Sequence, residues 1–532
     1  MLSGASGATP AVGRCGAGTT EPVANARTMP VMVAAPSSTA GLLAAVDLGS
    51  NSFRLEIGQI AHGRYRRIDY LKETVRLGGG LDANGMLTDA AAQRGLDCLA
   101  RFASRLAGFR GAQVRAVATQ TLREARNRDA FLLRAQGVLG YPIEVISGRE
   151  EARLIYAGVA HVQPSDARRL VVDIGGRSTE MIIGAGRSPL VAESFQVGSV
   201  SLSQRFFGDG RLTEAAFRAA QVAAGAEIEE ALETFARGRW HEALGSSGTV
   251  SAVSQLLVAS DVSAGEITPA ALRWCIARCI DAGHVSRLRL PGLRNDRRPV
   301  LAGGLSILYT LATHFAIDAL RPTKGALRQG VIVDLHERLA ARQRARGGDM
   351  RDASVAELQR RFRVDVAQAQ RVSAVARSLY EGVAGDADTD APRELAWACD
   401  LHEIGMMVSH HDHHRHSAYL LAHVDAPGFS QSQQRRVGEL ALGQRGGLRK
   451  IEHAFVNDAF TWQVLCLRLA VIKCHARGRV DTNALRLRRD GARAALSFSR
   501  EWAATHPRTL FLLEEEAETW NRGGPLQLVL VN

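Results

Sequence analysis

Two stretches, LLAAVDLGSNSFRLEIGQI at residues 42–60 and LVVDIGGRSTEMIIG at residues 170–184, decide how this chain folds. In the first, an apolar run ends on Asp47 and a Gly-Ser-Asn-Ser turn follows. Phe53, Leu55 and Ile57 then alternate with Arg54 and Glu56, the period of a strand with one buried face. It reads as a hairpin with an acid at its mouth. The second stretch repeats that text: Asp173, Gly175, Ser178, Ile183 and Gly184 fall on Asp47, Gly49, Ser52, Ile57 and Gly58, every pair 126 residues apart (173 − 47 = 126). Repetition at a constant offset marks a duplicated unit. The chain therefore reads as two related α/β lobes facing each other across a cleft.

Working outward, helical stretches at 88–108, 213–236 and 266–282 carry apolar residues at i, i+3, i+4 spacing and supply the layers such sheets need. A third small-residue loop, GSSGT at residues 245–249, follows an apolar run and precedes a helical pattern near Val250, so it reads as another phosphate- or nucleotide-facing turn. After about Leu335 strand signals nearly vanish. The segment ERLAARQRARGGDMRD (337–352) is a basic connector, and a mostly helical region follows to about Arg488. RAALSFS, a helix near 510–521 and LQLVLVN then suggest a strand–helix–strand cap. Residues 1–40, rich in Ala, Gly, Ser, Thr and Pro and without periodicity, read as a flexible tail in which Met29 or Met32 could be the start. The expected division is a tail at 1–40, lobes at 41–163 and 164–338, a helical domain at 339–488 and a cap at 489–532.

This division agrees with the 532 residues, which at roughly 150 per domain give three to four domains. With 46% apolar and 23% charged residues the chain is globular, which excludes collagen-like, low-complexity and coiled-coil readings. Lys plus Arg number 66 against 54 Asp plus Glu, a net +12 that favours anionic partners. No groove-reading motif, membrane span or amphipathic anchor accompanies that charge, so nucleic acid and stable membrane insertion recede, leaving peripheral membrane association open. Seven cysteines, an odd number with no secretory signature, point to reduced thiols in the cytoplasm. The one close pair, Cys275 and Cys279, reads as ordinary helix packing.

An aspartate closing a strand ahead of small residues offers an oxygen ligand for a hard divalent cation, beside backbone N–H groups that phosphate can approach. Two such hairpins facing each other would hold phosphates from both sides, with Asp47 and Asp173 near a shared Mg²⁺. Between them lies ISGREEARLIYAGV. Ser147 and Glu150 have capping-box spacing, which gives Glu150 a local role. Glu151 shares a helix face with Leu154, Ile155 and Gly158, so its carboxyl turns toward packed structure or the cleft, where desolvation raises its pKa toward that of a general base. A first-turn carboxylate favoured by the helix dipole is the simpler alternative.

In order, AAVDLGSNSFRL, ATQTLREA, YPIEVISGREEARLIYAGV, LVVDIGGRSTE, GSSGT, LPGL and GALRQGV resemble the exopolyphosphatase / guanosine pentaphosphate phosphohydrolase (Ppx/GppA) family, and the match continues through LHEIGM, HRHSAYLL and DAPGF. The long form looks like the exopolyphosphatase branch. The resemblance implies two actin-like (ribonuclease H-like) lobes, an α-helical HD-like domain, a small α+β cap, and membership of the actin-like ATPase superfamily. It implies phosphate contacts at Gly49, Ser50, Asn51, Ser52, Gly175, Gly176, Ser178 and Thr179, with Gly248 of GSSGT as a further one. Metal positions would be Asp47, Asp173 and Glu180, the catalytic base Glu151, and an arginine for the phosphate oxygens Arg123. Mg²⁺ is the implied cofactor, with dependence on a monovalent cation such as K⁺ left open. The expected activity is processive, Mg²⁺-dependent release of orthophosphate from inorganic polyphosphate. Hydrolysis of guanosine pentaphosphate (pppGpp), a stringent-response nucleotide, is the alternative, and a non-catalytic polyphosphate or nucleotide sensor the second. A homodimer is implied as well.

The chain departs from the family at DIGGRSTE, where Arg177 replaces the third glycine. It could narrow access to the backbone or add a cation at the phosphate, and it is counted here among the phosphate-facing residues. In the helical region, LHEIGMMVSHHDHHRHSAYLL holds six histidines between His402 and His416, of which His410, His413 and His414 could share a helix face. An HD-type metal site needs a His-Asp pair. Here the pair is His402-Glu403, which favours a degenerate, structural site.

Overall fold

A computed structural model describes residues 41–343, 349–385 and 390–531. The expected tail at 1–40, with Met29 and Met32, lies outside the described residues, as do residues 344–348 of the basic connector. The hairpin at residues 42–60 forms as β1 (Leu43–Leu48) and β2 (Phe53–Ala61), extended by β3 (Arg64–Glu73) and, through parallel pairing, by β4 (Val114–Ala118) and β5 (Ile143–Val145). The strand order is β3-β2-β1-β4-β5. The second hairpin forms β6 (Arg169–Ile174) and β7 (Thr179–Ala185), joined by β8 (Ser188–Phe195), β9 (Glu242–Ser246) and β10 (Leu320–Pro322) in the order β10-β9-β6-β7-β8. Read from the other edge, this is the same topology. Even the register shift repeats, falling between Ile57 and Gly58 in one lobe and between Ile183 and Gly184 in the other.

Because successive side chains of a strand face opposite sides, β1 and β6 each feed two cores. Ala44, Val46 and Leu48 pack outward with Leu96, Leu99 and Phe102 of the helix Asp89–Arg105. Leu170, Val172 and Ile174 pack outward with Phe217 of the helix Glu214–Ile228 and Leu272 of the helix Pro269–Ala282. The inward residues Leu43, Ala45, Val171 and Ile182 share a middle core with Leu154 and Ile155 of the helix Gly148–Val162 and Val331 and Ile332 of the helix Leu327–Gln343. These two helices cross closely. A Cβ on Gly330 would stand 1.7 Å from the Leu154 carbonyl oxygen, and one on Gly158 would stand 2.3 Å from that of Ala326. Only glycine permits that separation. The helix Leu327–Gln343 thus belongs to the layer between the sheets rather than to the outside of the second lobe.

The remaining chain is helical from Met350–Arg361 to Asp458–Lys473 and ends in a sheet of β11 (Arg486–Asp490), β12 (Arg493–Ser497) and β13 (Gln527–Val531). The expected boundary between 488 and 489 runs through β11, and Leu487, Leu496 and Leu528 of this sheet share one core with Leu395, Leu440 and Leu465 of the helices. Cap and helical region therefore bury their apolar faces against each other. The described cysteines are buried free thiols. Among the described residues no helix is long and apolar enough to cross a membrane.

Candidate active site

The two acid-tipped hairpins meet at a cavity of about 670 Å³. Its walls carry Asp47, Gly49, Ser50, Asn51 and Ser52 from the first lobe and Asp173, Gly175, Gly176 and Ser178 from the second. Glu151 enters from the first turn of the helix Gly148–Val162, and Gly248 lies at the start of the helix Ser247–Ala259. That helix begins at Ser247, earlier than the pattern near Val250 suggested. Ser247 takes a positive φ of 80° while its hydroxyl donates to the Ile174 carbonyl at 2.9 Å. A serine held in the left-handed region is strained, and such strain collects at functional sites. The second-lobe loop is braced on the helix Ser199–Phe206: the N–H groups of Ser199 and Val200 donate to the carbonyls of Gly175 and Gly176 at 3.0 and 2.8 Å.

Four expected site residues do not line the cavity. Thr179 is fully buried and donates its hydroxyl to the Val197 carbonyl at 2.6 Å, so its side chain braces the strand. Arg177 turns away from the phosphate loop and pairs with Glu124, with Nε to Oε2 at 2.8 Å, so it neither narrows the cavity nor adds a cation to it. Glu180 sits behind Asp173, its register partner across the hairpin, and accepts from Ser194 Oγ at 2.8 Å. Arg123 stands behind Glu151: Nη1 donates to Glu151 Oε2 and to the Ile146 carbonyl, both at 2.9 Å, while Nε and Nη2 donate to Gln120 Oε1 at 3.0 and 2.6 Å. Ser147 caps the helix as expected. Glu150, however, bonds Arg153 at 2.7 and 2.9 Å instead of reaching back to the cap, because a guanidinium offers its carboxylate two charge-assisted bonds.

The carboxylates here stand against one another. Burial pushes the Glu151 carboxyl up to about 7; Arg123 pulls it back, and the negative charges of Asp47 and Asp173 add to the rise. Burial also raises Asp173, and it raises Glu180 well above the usual range with help from Glu151 and Asp173. Such a set demands a counter-cation. Among the described residues no three His, Cys, Asp or Glu are placed to hold one metal ion by themselves. A hard ion that takes one or two carboxylates and completes its shell with water and phosphate oxygens fits this donor set.

Sequence reasoning missed the cations. Arg54, Arg67, Lys72, Arg294, Arg297, Lys324 and Arg328 all line the cavity. Arg54 and Arg328 lie 3.4 and 3.5 Å from Asp47, and Lys72 is pushed down to about 8 by burial, with Arg297 and Arg54 adding to the fall. Their signal was adjacency: Arg54 lies inside VDLGSNSFRL, Arg294 and Arg297 follow LPGL, and Lys324 and Arg328 flank and occupy GALRQGV.

The histidines form no comparable centre. His402 is buried with Nδ1 2.6 Å from the Cys399 carbonyl, and Arg477 pairs with Glu403. Burial lowers His402, His413 and His414 to about 4 each. His411 stands exposed, and the His410 and His413 rings are 6.4 Å apart. Cys275 and Cys279 are likewise packed, with burial pushing both thiols up to about 12.

Residues 57–339 match the Ppx/GppA phosphatase family, and residues 350–517 match Ppx/GppA phosphatase, domain III. The chain is 37% identical over 482 residues to the guanosine-5'-triphosphate,3'-diphosphate pyrophosphatase of Vibrio vulnificus, covering 90% of this chain and 95% of that protein. It is 36% identical over 481 residues to the protein of the same name from Vibrio atlanticus, with the same coverage. Among solved structures, an exopolyphosphatase-like protein shares 25% identity at a TM-score of 0.52, covering 56% of this chain and 99% of that one. An exopolyphosphatase from Cytophaga hutchinsonii shares 24% at a TM-score of 0.51, covering 55% and 97%, a likeness of fold alone. The two-lobed actin-like α/β fold stands. The exopolyphosphatase expectation does not: relatives matching along 90% of the chain carry the guanosine pentaphosphate name, whereas the structures named for polyphosphate match little more than half of it.

Proposed function

The chain belongs to the Ppx/GppA phosphatase family, and from that premise we propose that it hydrolyses the terminal 5′ phosphoanhydride of guanosine 5′-triphosphate 3′-diphosphate, releasing orthophosphate and leaving guanosine 5′-diphosphate 3′-diphosphate. The observation that carries this reading is Glu151, a buried carboxyl raised to about 7 and facing the same cavity as both small-residue loops. A base tuned near neutrality accepts a proton from water with the best balance of availability and strength. The names of the relatives above support the nucleotide, and so do the cations around the cavity, because a substrate with phosphates at both ends of its ribose needs positive charge beyond the cleavage point.

In this reading Gly49, Ser50, Asn51, Ser52, Gly175, Gly176, Ser178 and Gly248 surround the terminal phosphates. Backbone N–H groups with small neighbours can approach the phosphate oxygens there. Glu151 takes the proton of the attacking water as oxygen bonds to the terminal phosphorus. The bridging P–O bond breaks and its electron pair leaves on the penultimate phosphate. Arg123 holds the Glu151 carboxylate in place through the 2.9 Å contact. Asp47 and Asp173, the two carboxylates of the hairpins that line the cavity, would hold Mg²⁺, which would neutralise phosphate charge when bound, with Glu180 beside Asp173 outside the cavity lining.

Phosphate release is to be measured side by side from guanosine 5′-triphosphate 3′-diphosphate, GTP and long-chain polyphosphate, with Glu151→Gln as the control. The pentaphosphate should be the preferred substrate, and the variant should lose about 10²- to 10⁴-fold in kcat. A parent that leaves the pentaphosphate intact, or a variant as active as the parent, removes this reading.

A further inference from the structure

Arg177, the residue that breaks the family's glycine run, is held by two residues of the opposite lobe, Glu124 and Gly78. Its Nε and Nη2 lie 2.8 and 2.6 Å from Glu124 Oε2, and its Nη1 donates to the Gly78 carbonyl at 3.2 Å. Arg177 belongs to the β6–β7 turn of the second lobe, whereas Gly78 and Glu124 belong to the first. The side chain is seated over Gly78, where an added Cβ would stand 2.8 Å from Arg177 Cδ. Its charge is committed before any phosphate arrives.

The contacts continue inward. Glu124 Oε1 accepts from Gln120 Nε2 at 2.6 Å. A primary amide has a donor side and an acceptor side, so an amide whose nitrogen is held by Glu124 presents its oxygen the other way. That oxygen receives Arg123 Nε and Nη2 at 3.0 and 2.6 Å, and Arg123 Nη1 reaches Glu151 Oε2 at 2.9 Å. Released from Glu124, the amide could turn its NH₂ toward the guanidinium, setting donor against donor. We infer that Arg177 is a positioning residue: by anchoring Glu124 across the lobe interface it fixes the Gln120 amide, and through it the Arg123 guanidinium that holds Glu151. A residue unlike the family's glycine thereby ties the alignment of the candidate base to the contact between the lobes.

This inference rests on the proposed reading of Glu151 as the base, and two measurements keep the two apart. The first is phosphate release from guanosine 5′-triphosphate 3′-diphosphate by the parent, Arg177→Gly, Glu124→Ala and the double variant. Each single variant should lower kcat about tenfold with KM held within about twofold, and the double variant should fall no further, because both changes break one relay. Arg177→Lys, which keeps the charge but not the fork, should recover part of the loss. A rise in kcat on Arg177→Gly, losses that multiply in the double variant, or a change confined to KM overturns the inference. The second measurement is a pair of crystal structures of the parent and Arg177→Gly without substrate. Arg123 should leave Glu151 in the variant; if it stays, the relay is wrong whatever the enzyme hydrolyses. If the parent releases no phosphate, the functional reading fails on its own, and these structures still decide the relay.

Discussion

Glu150 and Glu151 are adjacent on one helix, both buried, and they face opposite electrostatic worlds. Glu150 turns into a closed ionic cluster. Arg115, Arg153 and Arg338 converge on Asp334 at 2.7, 2.6 and 2.6 Å, Arg153 also holds Glu150, and Arg115 also holds Glu144 at 3.0 Å. Burial alone would raise Asp334, but Arg338, Arg153 and Arg115 overcome it and hold that carboxyl far below its usual range. Glu151 turns into the cavity, where burial and the negative charges of Asp47 and Asp173 outweigh the pull of Arg123. Asp334 and Glu151, both buried, shift in opposite directions because their neighbours differ. The balanced cluster is architecture: Glu150 Oε2 accepts from the Gly428 N–H at 2.9 Å and Arg338 donates to the Gly428 carbonyl at 2.7 Å, fastening the helical region to the lobes. The unbalanced cluster holds negative charge in tension, the state a cation would relieve.

The largest test of this contrast is Asp334→Asn. It leaves three buried guanidinium groups facing too little negative charge and should cost about 3–5 kcal/mol of unfolding free energy at pH 7, read by denaturant titration. A carboxyl held low in the folded state adds stability above its unfolded pKa and loses it as pH falls through the folded value. The deficit of the variant should therefore shrink in acid. A cost below about 1 kcal/mol would mean the cluster is not structural.

Glu151→Gln should act with the opposite sign. A carboxyl raised to about 7 in the folded state contributes stability that is complete below its unfolded pKa and is lost as pH rises through 7. The neutral amide escapes that loss, so the variant should gain about 3 kcal/mol over the parent at pH 8 and nothing at pH 4. Equal stability at both pH values would show that Arg123 alone balances Glu151. The smallest effect lies in the rate: kcat/KM should rise about tenfold per pH unit on the acid side and level off near pH 7, following deprotonation of the base. A profile already flat at pH 5 would place the carboxyl in the ordinary range.

Much of the frame was legible because it is local. Alternation in FRLEI, the Gly-Ser-Asn-Ser turn and the repeat at constant spacing fix two hairpins, and the matching strand orders follow from that duplication. Glu151 was legible too, since residues 151, 154, 155 and 158 lie on one helix face and that face meets the cavity and the middle core. The direction of the Thr179 side chain was not legible, because a motif position does not reveal which way a β-strand side chain points once the neighbouring strand is placed. The cavity's cations were unread because they come from separate elements of both lobes.

The sequence by itself determined the duplicated hairpins, the small-residue loops and the identity of the acid on the helix face, all set by residues within one or two turns of each other. Only the tertiary structure decided the charged surroundings of those acids and the pairing of Arg177 with Glu124. Arg115, Arg153 and Asp334 lie 219 and 181 residues apart, and Arg177 and Glu124 are separated by 53. Whether a buried carboxyl meets a cation or another carboxyl depends on contacts between such distant segments, which no local pattern encodes.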